Sequence, residues 1–177
     1  MLGPVSRARL ALVHPVLGQM ITDLDNTMSE SLGVTQGLRK TAEQAALYAQ
    51  GRQPIDSVNV MRKAVGWAPL EPSENSRTVT NAKPGESWHE YGLAVDVVPL
   101  ESSGLPDWNE THEVWQELIS KAETLGLRSG ISWHDQPHLQ ITGRFPYQKP
   151  TDEVRSLYEL GGLQAVWDAT GIQPTGE

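Results

Sequence analysis

The sequence predicts an α+β fold on three observations: apolar residues at helical spacing near both ends, short β-branched runs between them, and a long central segment with no period. A length of 177 residues fits a single domain spanning 1–177. Leu10, Val13, Leu17, Met20, Leu24 and Met28 form a helical stripe, and Pro15 suits the first turn of its main helix. Val34, Thr35 and Gln36 read as a short strand. A helix over 41–51 follows from Ala42, Ala45, Ala46, Leu47 and Ala49, with Gly51 as its stop. Residues 52–86 carry Pro54, Pro69, Pro72 and Pro84 and read as a long irregular segment. A buried strand over 93–98 is stopped by Pro99. Val114, Trp115, Leu118 and Ala122 predict a helix over 109–125. After a turn at 126–130 come two short strands, 131–133 and 138–141, split by Pro137. Thr151 is the expected N-cap of a last helix, followed by Asp152 and Glu153 and given an apolar face by Val154, Leu157, Tyr158 and Leu160.

Hydrophobic residues make up 38% and charged residues 20%, as in an ordinary soluble chain. The formal net charge of −8 argues against nucleic acid and anionic membranes as partners, since both need clustered Lys and Arg. About half of that charge falls in 151–177, on Asp152, Glu153, Glu159, Asp168 and Glu177 against Arg155, which predicts a solvated helix face docked on the rest. The apolar residues near the start are interrupted by Pro15 and make no convincing signal peptide. The expectation is a cytoplasmic, monomeric protein. With no Cys and only 5 His, sulfur chemistry is excluded and any metal must be held by imidazole and carboxylate.

Two stretches carry the chemistry. In Ser87-Trp-His89-Glu-Tyr-Gly92-Leu-Ala-Val-Asp96-Val-Val, Asp96 sits inside an apolar strand, where a carboxylate is costly unless paired or metal-bound. Gly92 allows the turn that brings His89 back over the face carrying Asp96. An Asp held by backbone donors or an Arg explains this segment equally well. The second stretch is Trp133-His134-Asp135-Gln136-Pro137-His138. A helical His134/His138 pair is ruled against by Pro137, which disfavours helical geometry at Gln136. His138 then starts a strand, with Asp135 on the turn before it. His89, Asp96 and His138 as ligands, with Asp135 spare, match a catalytic zinc site: three protein ligands, an open position and a base.

These residues resemble a known family. Ser87, His89, Gly92, Ala94 and Asp96 fit S-x-H-x-x-G-x-A-x-D, similar to the zinc signature of the D-Ala-D-Ala carboxypeptidase family of VanY-like and VanX-like enzymes and phage L-alanyl-D-glutamate endopeptidases. Asp135-x-Pro137-His138 resembles the family's [D/E]-x-x-H element, and 37–52 is similar to its G-x-R-[ST]-x-x-x-Q-x-x-L-[YW] segment, although Lys40 replaces the usual small hydroxyl residue. The resemblance covers 30–142. It implies a hedgehog/D,D-peptidase-like fold, in which a small antiparallel sheet carrying the zinc site is flanked by helices, with 151–177 as a helical extension. It further implies one Zn²⁺ per chain held by His89, Asp96 and His138, with Asp135 as the catalytic base. Arg39 would stabilise the oxyanion or a substrate carboxylate, unless it only pairs with Glu43 at i+4. Ser87 and His134 are candidate substrate contacts; Ser87 alternatively fixes the His89 loop.

Trp88, Trp133 and Tyr91 are candidate cleft walls, Trp115 and Trp167 core, Gln44 and Tyr48 supports for Arg39, and His14 and His112 ordinary helix residues. The function expected is a zinc metallopeptidase acting on peptidoglycan stem peptides, most readily the L-alanyl-D-glutamate bond. It would be a phage-type endolysin released to the wall from the cytoplasm. The alternatives are a D-Ala-D-Ala carboxypeptidase or dipeptidase, and a non-enzymatic zinc or wall-binding module of the same fold. The D-x-P-H context favours the endolysin branch, and the spare Asp135 argues against a purely structural site.

Overall fold

A computed structural model describes residues 1–173. Its centre is a four-stranded antiparallel sheet built from β1 (Leu32–Gln36), β2 (Ala94–Pro99), β3 (Arg128–Gly130) and β4 (Asp135–Gln140) in the order β1-β2-β4-β3. β2 is central, which explains its nearly unbroken apolar run: Ala94, Val95, Val97 and Val98 are all buried. The helices α2 (Pro15–Thr27) and α5 (Glu113–Thr124) supply Leu17, Ile21, Leu24, Trp115, Leu118 and Ala122 to the same buried cluster as the sheet. Each fully buried Leu or Ile contributes about 1.5–3 kcal/mol over its exposed state. The predicted α+β class, with a small antiparallel sheet and flanking helices, is the class observed.

Several boundaries differ from the sequence reading. The stripe from Leu10 to Met28 is two helices, α1 (Pro4–Leu10) and α2, because the His14-Pro15 step cannot continue a helix; His14 instead caps α2, its Nδ1 accepting from Val16 N–H. The 41–51 helix is α3 (Thr41–Ala49). The segment 52–86 is not wholly irregular, since it contains α4 (Ile55–Ala64). Only Val58 of that helix is buried, so its apolar stripe is too thin to read as a period. α5 begins later than expected because 107–112 fold on themselves: Asp107 accepts from Asn109 N–H, and Asn109 Oδ1 accepts from Thr111.

The largest correction lies at the third and fourth strands. Residues 131–133 form a 3-10 turn rather than a strand, and the strand pairing with β4 is 128–130. β4 begins at Asp135, so Pro137 lies within it and His138 is not its first residue. Pro137 is accommodated because the β3/β4 register shifts between Ser129 and Gly130, leaving a bulge where no ladder N–H is needed. Gly130 makes that approach possible: a Cβ there would lie 2.2 Å from the Asp135 carbonyl oxygen.

The last helix, α6 (Asp152–Thr170), starts at the predicted cap, where Thr151 accepts from Val154 N–H. It is kinked at Gly161 and Gly162, and Leu160 is 86% exposed, so Leu160 does not belong to the apolar face. Val154 and Val166 do. Glu177 lies outside the described residues.

Candidate metal centre

The three ligands predicted from the two motifs come together on one face of the sheet. Asp96 and His138 are direct cross-strand partners on β2 and β4, so their side chains share a face. His89 arrives from a 3-10 turn, Trp88–Tyr91, that precedes β2. That turn reverses at Gly92, whose φ of 63° is left-handed and whose missing Cβ would meet Trp167 at 3.1 Å. The Glu90 carboxylate accepts from the backbone N–H groups of Gly85 (3.0 and 2.9 Å) and Ser87 (3.3 Å), so the approach to the turn is fixed from inside.

The separations fit a small divalent cation. His89 Nε2 lies 3.2 Å from Asp96 Oδ1 and 3.2 Å from His138 Nδ1, and His138 Nδ1 lies 3.6 Å from Asp96 Oδ1. A tetrahedron with bonds of about 2.0–2.1 Å has an edge of about 3.3 Å. The outer nitrogens fix the tautomers. His89 Nδ1 is 3.0 Å from the Gly37 carbonyl oxygen, which can only accept, so the proton sits on Nδ1 and the Nε2 lone pair faces inward. His138 Nε2 is 2.7 Å from Gln140 Oε1, and Gln140 spends its Nε2–H on the Tyr147 carbonyl at 2.6 Å, so His138 turns its Nδ1 lone pair inward. Two lone pairs facing each other beside a carboxylate oxygen repel unless a cation lies between them.

The electrostatics agree. Burial pushes the His89 pKa down, which favours the neutral ring a metal needs. Burial alone would raise Asp96, but the facing imidazoles of His89 and His138 outweigh it and hold the carboxyl well below the usual range. Asp135 is raised, first by burial and then by the Asp96 charge. Its side chain is 49% exposed, and Oδ2 lies 4.0 Å from His138 Nδ1. It is the first residue of β4 rather than a turn residue, and it remains beside the cluster without closing it.

Arg39 reaches the site from the loop before α3. Its Nη2 lies 3.7 Å from Asp96 Oδ2, its Nη1 donates to Gln44 Oε1 at 2.8 Å, and its buried Nε has no hydrogen-bond partner. The alternative pairing with Glu43 does not form; Glu43 accepts instead from Lys40 N–H. Gln44 supports Arg39 as expected, whereas the Tyr48 ring carries Arg52 at 4.1 Å. Ser87 is buried at the start of the His89 turn, which favours fixing that loop over touching substrate. His134 is exposed, with a left-handed φ of 61°. Trp133 is exposed, edge-on to His138, and stays a candidate wall. Trp88 and Tyr91 do not: both are buried, and Trp88 stacks on Phe145. His112 is not an ordinary helix residue, since its Nδ1 pairs with Asp107 Oδ2 at 2.7 Å and it caps α5.

Sequence reasoning missed the groups that aim the ligands. Gln140 could have been found, because two residues after His138 on a strand is the same face. The Ser87-x-x-Glu90 spacing is also a capping signature. The carbonyl of Gly37 leaves no trace in sequence.

The chain is 28% identical over 142 residues to the peptidoglycan L-alanyl-D-glutamate endopeptidase CwlK of Bacillus subtilis (strain 168), covering 73% of each chain. Among solved structures it resembles the Serratia marcescens L-Ala D-Glu endopeptidase ChiX, with TM-score 0.48, 23% identity, and coverage of 80% of this chain and 90% of that one. It also resembles the L,D-carboxypeptidase DacB from Streptococcus pneumonia, with TM-score 0.39, 18% identity, and coverage of 80% and 67%. The VanY family, described as D-alanyl-D-alanine carboxypeptidase, matches residues 13–138, a span holding His89, Asp96, Asp135 and His138; the chain belongs to this family.

Proposed function

We propose that this protein is a zinc metallopeptidase that hydrolyses peptidoglycan stem peptides at the L-alanyl-D-glutamate bond, in the manner of an endolysin during host cell lysis. The observation that carries this reading is the convergence of His89 Nε2, His138 Nδ1 and Asp96 Oδ1, with a further carboxylate, Asp135, at the edge of the cluster. Bound Zn²⁺ supplies a Lewis acid that acidifies a water and polarises a carbonyl. His89, Asp96 and His138 hold the ion. Asp135, made more basic by burial and by Asp96, takes a proton from the attacking water and returns it to the leaving amine. Arg39, whose Nη2 lies 3.7 Å from Asp96 Oδ2, donates to the oxygen that gains charge as the carbonyl is attacked.

The 28% identity to CwlK supports the endopeptidase bond, and the D-x-P-H order of Asp135 to His138, similar to the endolysin branch, supports the lytic role. The family description favours a second reading, removal of terminal D-alanine. Digestion of purified sacculi by the zinc-loaded protein, with end-group labelling, separates them. New D-glutamyl amines are expected. Free D-alanine would replace the first reading with the second, and binding to sacculi without any new amine would leave a non-enzymatic wall-binding module.

A further inference from the structure

Arg128 lies on the metal face of the sheet, one row from the ligands. It is the direct cross-strand partner of Gln140, whose side chain bonds the His138 ring. Arg128 and His138 are therefore diagonal neighbours, with Cα atoms about 7–8 Å apart. The Arg128 guanidinium lies 3.8 Å from the centre of the Tyr147 ring. Tyr147 is itself held in place, its carbonyl accepting from Trp88 Nε1 at 3.0 Å and from Gln140 Nε2 at 2.6 Å. The platform under Arg128 is thus tied to the same amide that aims His138.

Among the described residues, Arg7, Arg9, Arg39, Arg52, Arg62, Arg144 and Arg155 all donate to an oxygen, whereas Arg77, on the segment after α4, and Arg128 do not; of these two only Arg128 lies on the sheet face that carries His138. Arg128 is exposed, and among those residues neither a hydrogen bond nor an ion pair involves its side chain. An arginine stacked on a ring keeps its planar fork of N–H donors in the plane, free to take a carboxylate bidentately. In a chain of net charge −8, an unpaired arginine beside a cluster with two carboxylates offers an anionic peptide a place to bind.

We propose that Arg128, stacked on Tyr147, is a specificity-determining residue that binds a free carboxylate of the substrate next to the scissile bond. This rests on the peptidase reading above, and on the L-alanyl-D-glutamate bond the group is the α-carboxylate that D-glutamate keeps when linked through its side chain. Arg39 serves the reacting oxygen; Arg128 reads the flanking acid.

Two stem peptides, one with that carboxylate and one with a carboxamide in its place, test the assignment on the zinc-loaded protein. The wild type is expected to prefer the carboxylate peptide. Arg128→Gln is expected to lower kcat/KM for that peptide by about 10- to 100-fold, through KM, so that the preference falls to near unity, while zinc content and Tm hold. Arg128→Lys, which keeps the charge without the fork, should fall between. Equal losses on both peptides, or none, would overturn the assignment. Calorimetric binding of the two peptides reads it independently of cleavage. Tighter carboxylate binding that Arg128→Gln abolishes, without cleavage of either peptide, would retire the proposed scissile bond and leave Arg128 as the carboxylate site; equal binding of both by the wild type would retire Arg128.

Discussion

The two turns that border the metal cluster are built differently. The turn carrying His89 is buried and tied on every side. Gly37 accepts from the His89 ring, Arg39 N–H donates to the His89 carbonyl (3.0 Å), and His14 N–H donates to the Gly92 carbonyl (2.8 Å). Behind it stands α6, outside the span that matches the family, with Trp167 Nε1 donating to the Tyr91 carbonyl at 2.8 Å. The turn of 131–135 is exposed, passes through a left-handed His134, and ends at the half-exposed Asp135. A metal ligand must be held to within about 0.2 Å, so rigidity belongs on the His89 side. A proton carrier has to serve first a water and then an amine, and freedom belongs on the Asp135 side.

The sharpest way to separate the two sides is Asp135→Asn. It keeps the shape of the loose turn, removes the proposed base and leaves all three candidate ligands. Zinc content should be unchanged, while kcat falls by about 10²- to 10⁴-fold, the range of a general base. Equal loss of zinc and activity would show that Asp135 is a ligand, and the distinction between the turns would collapse.

A smaller effect is expected from loosening the hold on His138, on β4 between the two turns, without touching a candidate ligand. Gln140→Leu takes away the acceptor that aims His138 and should weaken zinc affinity by about 10- to 100-fold, as losses of such outer hydrogen bonds do. The protein should also lose stability to EDTA, because zinc at about 100 times its Kd adds about 2.7 kcal/mol, or several degrees of Tm for a chain this long. That difference should shrink as pH falls through the imidazole range near about 6.5, since protons compete for the inward lone pairs. In the metal-free protein, burial works against protonating His138, but Asp96 outweighs it and raises the His138 pKa. A group raised in this way adds stability below its unfolded value and loses it as pH rises, whereas His89, lowered by burial, does the opposite, so in the metal-free protein the two imidazoles offset each other. An EDTA effect that grew toward acid would contradict the cation fit.

The rigid side was the more legible in sequence, for a physical reason. His89, Gly92 and Asp96 lie within eight consecutive residues, and a polar residue in the apolar run 93–98 stands out because burial makes it costly. The central position of β2 follows from the same run. The loose side was read less well: the strand expected at 131–133 is a 3-10 turn, and the true partner, Arg128–Gly130, has no alternation to reveal it. A three-residue strand is set by its pairing with β4 and by the missing Cβ at Gly130, neither of which is a local signal. α4 escaped for a related reason, with Val58 alone reaching the interior.

His134 offers the finest test of the loose side. Its φ of 61° is the one left-handed value at a non-glycine residue among those described. For an L-residue this conformation costs about 1–2 kcal/mol, and glycine removes that cost. Glycine also gains freedom in the unfolded chain, which offsets about 0.5–1 kcal/mol. His134→Gly should therefore raise unfolding stability by about 0.5 kcal/mol, measurable as a slightly higher denaturant midpoint. If the side chain touches substrate, KM rises several-fold at the same time, and the strain is retained for binding. A stability gain with KM unchanged would make His134 a conformational accident of the bulged hairpin, and would leave Trp133 on the turn and Asp135 at the start of β4 as the working residues of that side.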